Sequence, residues 1–447
     1  MTGVIEKAKE ARKAALKLAN VPVETRNSAL HRIAAEIRER SDEILRANFE
    51  DMRRAEELLR RGRISRAAMQ RLKLDETKIN DIIRMVESVA GLEDPIGRTL
   101  YAVELDRGLE LYKISCPIGV IGAVFEARPD VLPQLSSLCL KSANAVMLKG
   151  GKEAANTNRA LFNAIRGASE GAGIPEGWIQ LLEERREVRE MLELDEYIDL
   201  LVPRGSREFV RYIQQNTRIP VLGHAEGICH IYVDEDADLQ MAVRICLDAK
   251  VQYPAVCNAV EKLLVHRKIA GEFLPLMAEA YRKAGVEMRG CERTREIIKD
   301  AKRATERDWR TEYLDLIIAI RVVDSLQQAI DHINTYGSKH TDGIVTKNMK
   351  NALAFLRGVD SSSVMVNAST RFSDGYRYGL GAEVGISTGK IHARGPVGLE
   401  GLTTTKYYLI GNGHVVGEYV GPGAKPFSHR RLERKWKELE SSLGGRA

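Results

Sequence analysis

The sequence predicts an α/β protein built on two doubly wound parallel sheets. Five short apolar runs between residues 118 and 222 alternate with four helical patterns, the rhythm of strands joined by crossover helices. A second alternation, with different spacing, fills residues 236–367. Ahead of both, residues 1–90 read as helix after helix.

In that helical opening Leu30, Ile33, Ala34, Ile37, Ile44 and Leu45 fall at helical spacing, with Arg, Glu and Lys between them. Arg53–Lys73 is rich in arginine. Glu56 and Glu57 interrupt it and no aromatic residue lies within it, so a solvated helical face outweighs a nucleic-acid patch. Residues 101–116 alternate around Asp106-Arg107-Gly108, which predicts a β-hairpin. The first sheet takes its strands from 118–125, 144–148, 178–182, 197–202 and 219–222, with helices near 131–142, 153–170, 185–194 and 206–216. Such sheets bind ligands just past the C-terminal ends of their strands.

After a helix at 236–252 come strand-like Lys262–His266, a helix near 269–284 and strand-like Leu314–Val323. A helix near 325–334, a strand near 343–346, a helix near 349–357 and the strand Ser363–Asn367 complete a second α/β domain. Residues 371–401 are Gly-rich and too long for a passive connection. Residues 402–410 return to a strand pattern, and from Gly421 a Pro/Gly-rich stretch leads to a charged helix, Arg430–Leu439.

Composition narrows the class. The chain has 447 residues, enough for roughly two to four domains of about 150 residues each. Hydrophobic residues at 44% and charged residues at 29% exclude disordered, collagen-like and coiled-coil chains. The best apolar run, Pro117–Phe125, falls far short of the roughly 18 residues a membrane span needs. The N-terminus lacks an apolar export core. Six scattered cysteines with no CxxC pair are expected to be reduced thiols of a cytoplasmic protein. A net charge of +6, from 68 basic and 62 acidic residues, is too small to indicate nucleic acid.

HExxH, GxxxxGK[ST] and strict GxGxxG signatures are absent, and the nine histidines show no metal-ligand spacing, so no metal is expected. A formal G-x-S-x-G at residues 385–389 has loop-like flanks, not the strand and helix of a nucleophile elbow. Two strand-to-helix junctions are more informative: Leu148-Lys149-Gly150-Gly151-Lys152 and Pro203-Arg204-Gly205-Ser206. A helix start offers unpaired N–H groups, and glycine lets a phosphate approach them. Either junction alone reads equally as a turn with solvated lysines; two on neighbouring strands favour a nucleotide site. Cys257 lies in a proline-broken loop, Tyr253-Pro254-Ala255-Val256-Cys257. That setting favours it as a nucleophile over Cys139 or Cys246, which fall in apolar helical patterns, although a packing thiol is the plainer reading. Arg128, Arg371 and Lys390 stand in loops beside strand ends, where a cation can meet phosphate or carboxylate, although each alone reads as a surface charge.

Taken together, PIGVIGAVFEA (117–127), Arg128-Pro129-Asp130, NAVMLKGGKE (144–153), VLGHAEGIC (221–229), AVCNA (255–259), TEYLDL (311–316), VMVNASTRF (364–372) and 381–390 resemble the γ-glutamyl phosphate reductase family of the aldehyde dehydrogenase superfamily. The match runs in order from about residue 5 to 428, with the charged tail after His429 as an addition. The resemblance implies an aldehyde dehydrogenase-like fold with a nucleotide-binding domain over 1–100 and 117–250 and a catalytic domain over 251–395. It also implies a small β oligomerisation element over 101–116 and 400–420, and a tail over 421–447.

By the same resemblance Cys257 is the nucleophile, Lys149 meets the adenosine ribose, Gly205 and Ser206 lie near the diphosphate, and Glu312 holds the nicotinamide ribose. Arg128, Asn367 and Arg371 are the candidate substrate contacts. His224 stands where hydrolytic aldehyde dehydrogenases carry a water-activating glutamate, with Glu226 two residues away. Glu126 stands where they carry the oxyanion asparagine, so no side-chain oxyanion donor is assigned. The implied reaction is the reduction of γ-glutamyl 5-phosphate to glutamate-5-semialdehyde and phosphate through a cysteine thioester, in proline biosynthesis. Lys149 and Lys152 favour NADPH over NADH. A homo-oligomer (dimer or tetramer) and a link to glutamate 5-kinase are the expected partnerships. The competing readings are a hydrolytic aldehyde dehydrogenase and an RNA-binding scaffold using residues 53–73 and the tail.

Overall fold

The computed structural model describes residues 2–64, 66–126, 128–223 and 226–444. The chain forms two compact units, one of residues Met1–Val202, Asn216–Val221 and Gly398–Ala447, the other of Pro203–Gln215 and Leu222–Val397.

The first unit opens with α1 (Thr2–Leu18), α2 (Val23–Glu39), α3 (Ser41–Arg60), α4 (Arg66–Leu72) and α5 (Glu76–Gly91). Leu30, Ile33, Ala34, Ile37 and Ile44 are buried, as their helical spacing predicts. Asp75 caps α5 by accepting the Lys78 N–H at 3.0 Å. The hairpin follows as β1 (Thr99–Asp106) and β2 (Leu109–Pro117).

Then come β3 (Val120–Phe125), α6 (Val131–Lys141), β4 (Ala145–Lys149), α7 (Ala155–Glu170), β5 (Ile179–Leu182), α8 (Arg185–Leu192) and β6 (Leu200–Arg204). They build a four-stranded sheet in the order β5-β4-β3-β6. β3, β4 and β5 are buried along their whole length, the mark of a sheet covered on both faces. The expected fifth strand at 219–222 does not form. Leu201 donates to the Pro220 carbonyl at 2.8 Å and Val221 makes one bridge, but Pro220 has no N–H to extend the ladder.

The second unit starts with α9 (Arg207–Gln215) and continues through β7 (Cys229–Val233), α10 (Leu239–Val251), β8 (Val260–His266), α11 (Arg267–Lys283), β9 (Glu287–Gly290), α12 (Glu292–Ile297), β10 (Lys302–Arg303) and α13 (Glu306–Trp309). β11 (Ile317–Val323), α14 (Leu326–Tyr336), β12 (Thr341–Val345), α15 (Met349–Gly358) and β13 (Ser363–Val366) complete a seven-stranded sheet, β10-β9-β11-β8-β7-β12-β13. Every pairing in it is parallel. Ile231, Val233, Leu263, Phe273 and Met277 pack in one core cluster, and Tyr232, Leu264, Ile333 and Phe355 in another.

Residues 222–250, which the resemblance groups with the nucleotide-binding domain, fall in this compact unit, because β7 pairs with β8 and β12. The Gly-rich stretch carries a short antiparallel pair, β14 (Gly385–Ser387) with β15 (Gly395–Val397).

The chain then re-enters the first unit with β16 (Thr403–Ile410), β17 (Arg430–Arg431) and α16 (Trp436–Gly444). Hairpin and later strands share one antiparallel sheet, β16-β2-β1-β17. The expected helix over 430–439 is therefore split: Arg430 pairs with Glu104 in the ladder, and the helix begins at Trp436. Trp436 and Leu439 close over Ala102, Tyr112 and Ile114, so the tail is part of this sheet's core rather than an appendage. Among the described residues no helix is long and apolar enough to cross a membrane. All six cysteines are free thiols.

Candidate active site

Pro254, three residues past the end of α10, lacks the N–H that would continue the helix. The chain turns instead, and Cys257 stands half-buried in the loop just ahead of β8. Cys139 and Cys246 are sealed inside α6 and α10, where burial pushes their thiols far up.

The backbone of Cys257 rests on the segment that leads into β7. A Cβ at Gly227 would lie 2.5 Å from the Cys257 Cα, so only glycine allows this approach. The Cys229 thiol donates to the Cys257 carbonyl at 3.1 Å, and burial holds that thiol well above its usual range, which keeps it a donor. The Gly227 N–H donates to the Glu312 Oε1 at 2.9 Å. One short segment thus ties the cysteine loop to the glutamate.

Arg371 approaches from another side. It is buried, and its guanidinium donates to the Gln252 Oε1 at 2.9 Å and to the Asn258 side-chain oxygen. Asn258 in turn donates to the Ser373 carbonyl at 2.8 Å. Burial lowers the Arg371 pKa, the nearby Arg377 lowers it further, and the Cys257 sulfur favours its charged form.

The other candidates stand in varied settings. Asn367, at a positive φ of 53°, uses both ends of its amide on the Thr346 backbone, each at 2.9 Å. Lys390 pairs with Asp360 at 2.9 Å. His224 lies outside the described residues, but Glu226 is described and is ion-paired to Arg207 at 2.6 Å and Arg211 at 3.0 Å. Gly205 and the exposed Ser206 lead into α9, and the Ser206 hydroxyl accepts the Phe209 N–H at 3.4 Å. Ser387 of the G-x-S-x-G sequence is buried in β14 and pairs with Gly395, with no helix after it.

In the first unit, Lys149 ends β4 with its ammonium turned onto the Gly150 carbonyl, and burial lowers its pKa. Arg128 pairs with Asp130 at 2.9 Å.

Sequence reading missed the mount around Cys257: Gly227, Cys229, Gln252 and Asn258. Only Asn258, directly after the cysteine, carried any local signal; Gln252 acts through Arg371, and Gly227 and Cys229 come from the segment that enters β7, the neighbour of β8.

A parallel α/β fold with a half-exposed cysteine ahead of a strand, a glutamate tied to its backbone mount and a buried arginine beside it defines the aldehyde dehydrogenase class. The aldehyde dehydrogenase family model matches residues 2–297, and the chain belongs to that family. Two relatives named gamma-glutamyl phosphate reductase, from Natronomonas pharaonis and Pelotomaculum thermopropionicum, are 60% and 58% identical over 431 residues. Each comparison covers 96% of this chain and 98% of the relative. The crystal structure of gamma-glutamyl phosphate reductase from Thermotoga maritima is 46% identical, with a TM-score of 0.88, over 92% of this chain and 99% of that one.

Proposed function

We propose that the chain catalyses NADPH-dependent reduction of γ-glutamyl 5-phosphate to glutamate-5-semialdehyde and phosphate, in proline biosynthesis. The carrying observation is the half-buried Cys257, packed on the Gly227 backbone that also holds Glu312, beside the buried cation of Arg371.

In this reading the Cys257 thiolate attacks the acyl carbon, an S–C bond forms, and the C–O bond to phosphate breaks. Arg371 and Arg128 bind the leaving phosphate or the α-carboxylate, Asn367 is a further substrate contact, and His224 is a candidate by its place in the sequence alone. The reduced nicotinamide cofactor, when bound, supplies the hydride that takes the acyl group to the aldehyde level. Lys149 holds its adenosine ribose and 2′-phosphate, the Gly205-Ser206 start of the nine-residue helix α9 its diphosphate, and Glu312 its nicotinamide ribose. Those residues fit such a ligand: a lysine at a strand end, an exposed glycine and serine at a helix start and a carboxylate fixed by a backbone N–H.

Keeping water from the thioester is the central demand, because hydrolysis would discard the activated acyl group. Glu226, the carboxylate nearest in sequence to the water-activating position, is spent on two arginines of α9, which suits that demand. β16 is an outer strand of its sheet and exposes Tyr407, Leu409 and Ile410, which supports homo-oligomer formation, as a dimer or tetramer, through this strand. Six free thiols suit the cytoplasm, where glutamate 5-kinase would supply the acyl phosphate.

In reverse, NADP⁺ reduction with glutamate semialdehyde is expected to require inorganic phosphate as the group that attacks the thioester. Steady turnover without added phosphate would replace this reading with a hydrolytic aldehyde dehydrogenase. Lys149→Ala is expected to raise the Michaelis constant for NADPH about tenfold, ~1.4 kcal/mol of binding, and that for NADH far less. Equal changes for both cofactors would remove the 2′-phosphate role.

A further inference from the structure

We infer that Lys262, from inside the second sheet, is a positioning residue that holds the Thr311–Leu314 loop and thereby presents Glu312 to the cofactor. The inference rests on the proposed role of Glu312.

Lys262 lies in β8 with its side chain fully buried. An ammonium is costly to bury without compensation, and an apolar residue would fill a strand interior without that cost. Its Nζ donates to the Thr311 carbonyl at 2.7 Å and stands 4.3 Å from the centre of the Tyr313 ring, a cation–π contact. Two further anchors grip the same loop. The Tyr313 hydroxyl donates to the Asp308 Oδ1 at 2.8 Å, and Asp308 also takes Arg289 at 2.7 Å. Leu314, at a φ of 54°, donates its N–H to the Glu261 Oε1 at 3.2 Å. Glu261 is itself buried and charge-paired with Lys250 at 3.3 Å. Residues 311, 313 and 314 therefore each have a buried partner, and Glu312 between them accepts the Gly227 N–H at 2.9 Å through its Oε1. Lys262 grips the loop at two residues, one on each side of the glutamate, as Asp308 does from the chain just ahead of it.

The charge on Lys262 gives this role a readout that packing alone lacks. Burial pushes its pKa down to about 7, Lys250 adding to the shift while Glu261, Asp308 and Cys229 oppose it. Tyr313 and His332 also face it. The ammonium is present below that value and lost above it. A neutral amine gives up the cation–π contact and weakens the bond to Thr311. Glu312 is then held less firmly as pH rises.

The experiment measures kcat and the Michaelis constant for the cofactor in the full chain between about pH 6 and pH 9, for the parent, Lys262→Met and Glu312→Gln. Lys262→Met is expected to raise the cofactor constant about tenfold at pH 6.5, with kcat changed less than about twofold. In the parent the constant rises severalfold across neutrality; in Lys262→Met it is flat. A variant with a lowered melting temperature but the parent's constant and pH profile would overturn the positioning role. If Lys262→Met fails to fold, Tyr313→Leu removes the ring face and is expected to give a smaller rise with the same flattening. An unaltered profile in Tyr313→Leu overturns the role as well. Glu312→Gln with an unchanged cofactor constant would sink the reading of Glu312 itself. A raised constant there with none in Lys262→Met would sink the positioning role alone.

Discussion

Cys257→Ala abolishes turnover, with an expected loss of at least about 10⁴-fold in kcat, ~5.4 kcal/mol at about 1.36 kcal/mol per tenfold. The substitution removes one sulfur from a half-buried loop position. It leaves untouched the contacts that hold the loop, because Gly227 and Cys229 meet the Cys257 backbone rather than its side chain. Stability and cofactor binding are therefore expected to survive, as read by thermal melting and by titration of cofactor fluorescence. The three buried thiols cannot stand in: Cys139 and Cys246 are sealed in helices, and burial holds the Cys229 thiol well above its usual range. Normal turnover in this variant would end the thioester proposal.

Gly227→Ala is expected to be nearly as damaging without touching the chemistry. The new methyl group would meet the Cys257 backbone, 2.5 Å from its Cα and 2.6 Å from its carbonyl carbon. Neither atom can swing aside as the end of a flexible side chain can. Overpacking of this kind costs about 1–3 kcal/mol of stability, and a displacement of about 1 Å at a reacting group costs on the order of 10²-fold in rate. The N–H that holds Glu312 moves with the same residue. The variant is expected to lose about 100-fold in kcat/KM, with both kcat and the cofactor constant affected. Gly223→Ala is the control, because a Cβ there meets Pro203 at an ordinary 3.7 Å. Parent-like kcat/KM in Gly227→Ala would show that the cysteine loop does not depend on this approach.

The comparison with the sequence is instructive where it fails. The first three strands of the four-stranded parallel sheet were legible because each is a mainly apolar run ending in a turn, and the loop at Cys257 was legible because Pro254 marks a broken helix. β7 was not, because Cys229 and His230 open it and disguise a strand buried in the middle of a sheet. His230 is admitted there only by its bond to Asp342 at 2.9 Å, a partner that no local window contains. Lys250, Glu261 and Lys262 look like solvated charges in the sequence, yet all are fully buried. Their meaning depends on which loop crosses above them, which is a tertiary fact. β17 is two residues long, and Arg430 and Arg431 carry no strand pattern; they pair because β1 offers a free edge.

β7 lies between β8 and β12, and its His230 partner Asp342 is 112 positions further along the chain. The groups that hold the cysteine loop span Gly227 to Ser373. During synthesis at about 5–20 residues per second, the polypeptide carries its reactive thiol for several seconds before the segment that completes its surroundings has left the ribosome. Chemical competence therefore arrives late, in a single step, when the middle of the sheet closes.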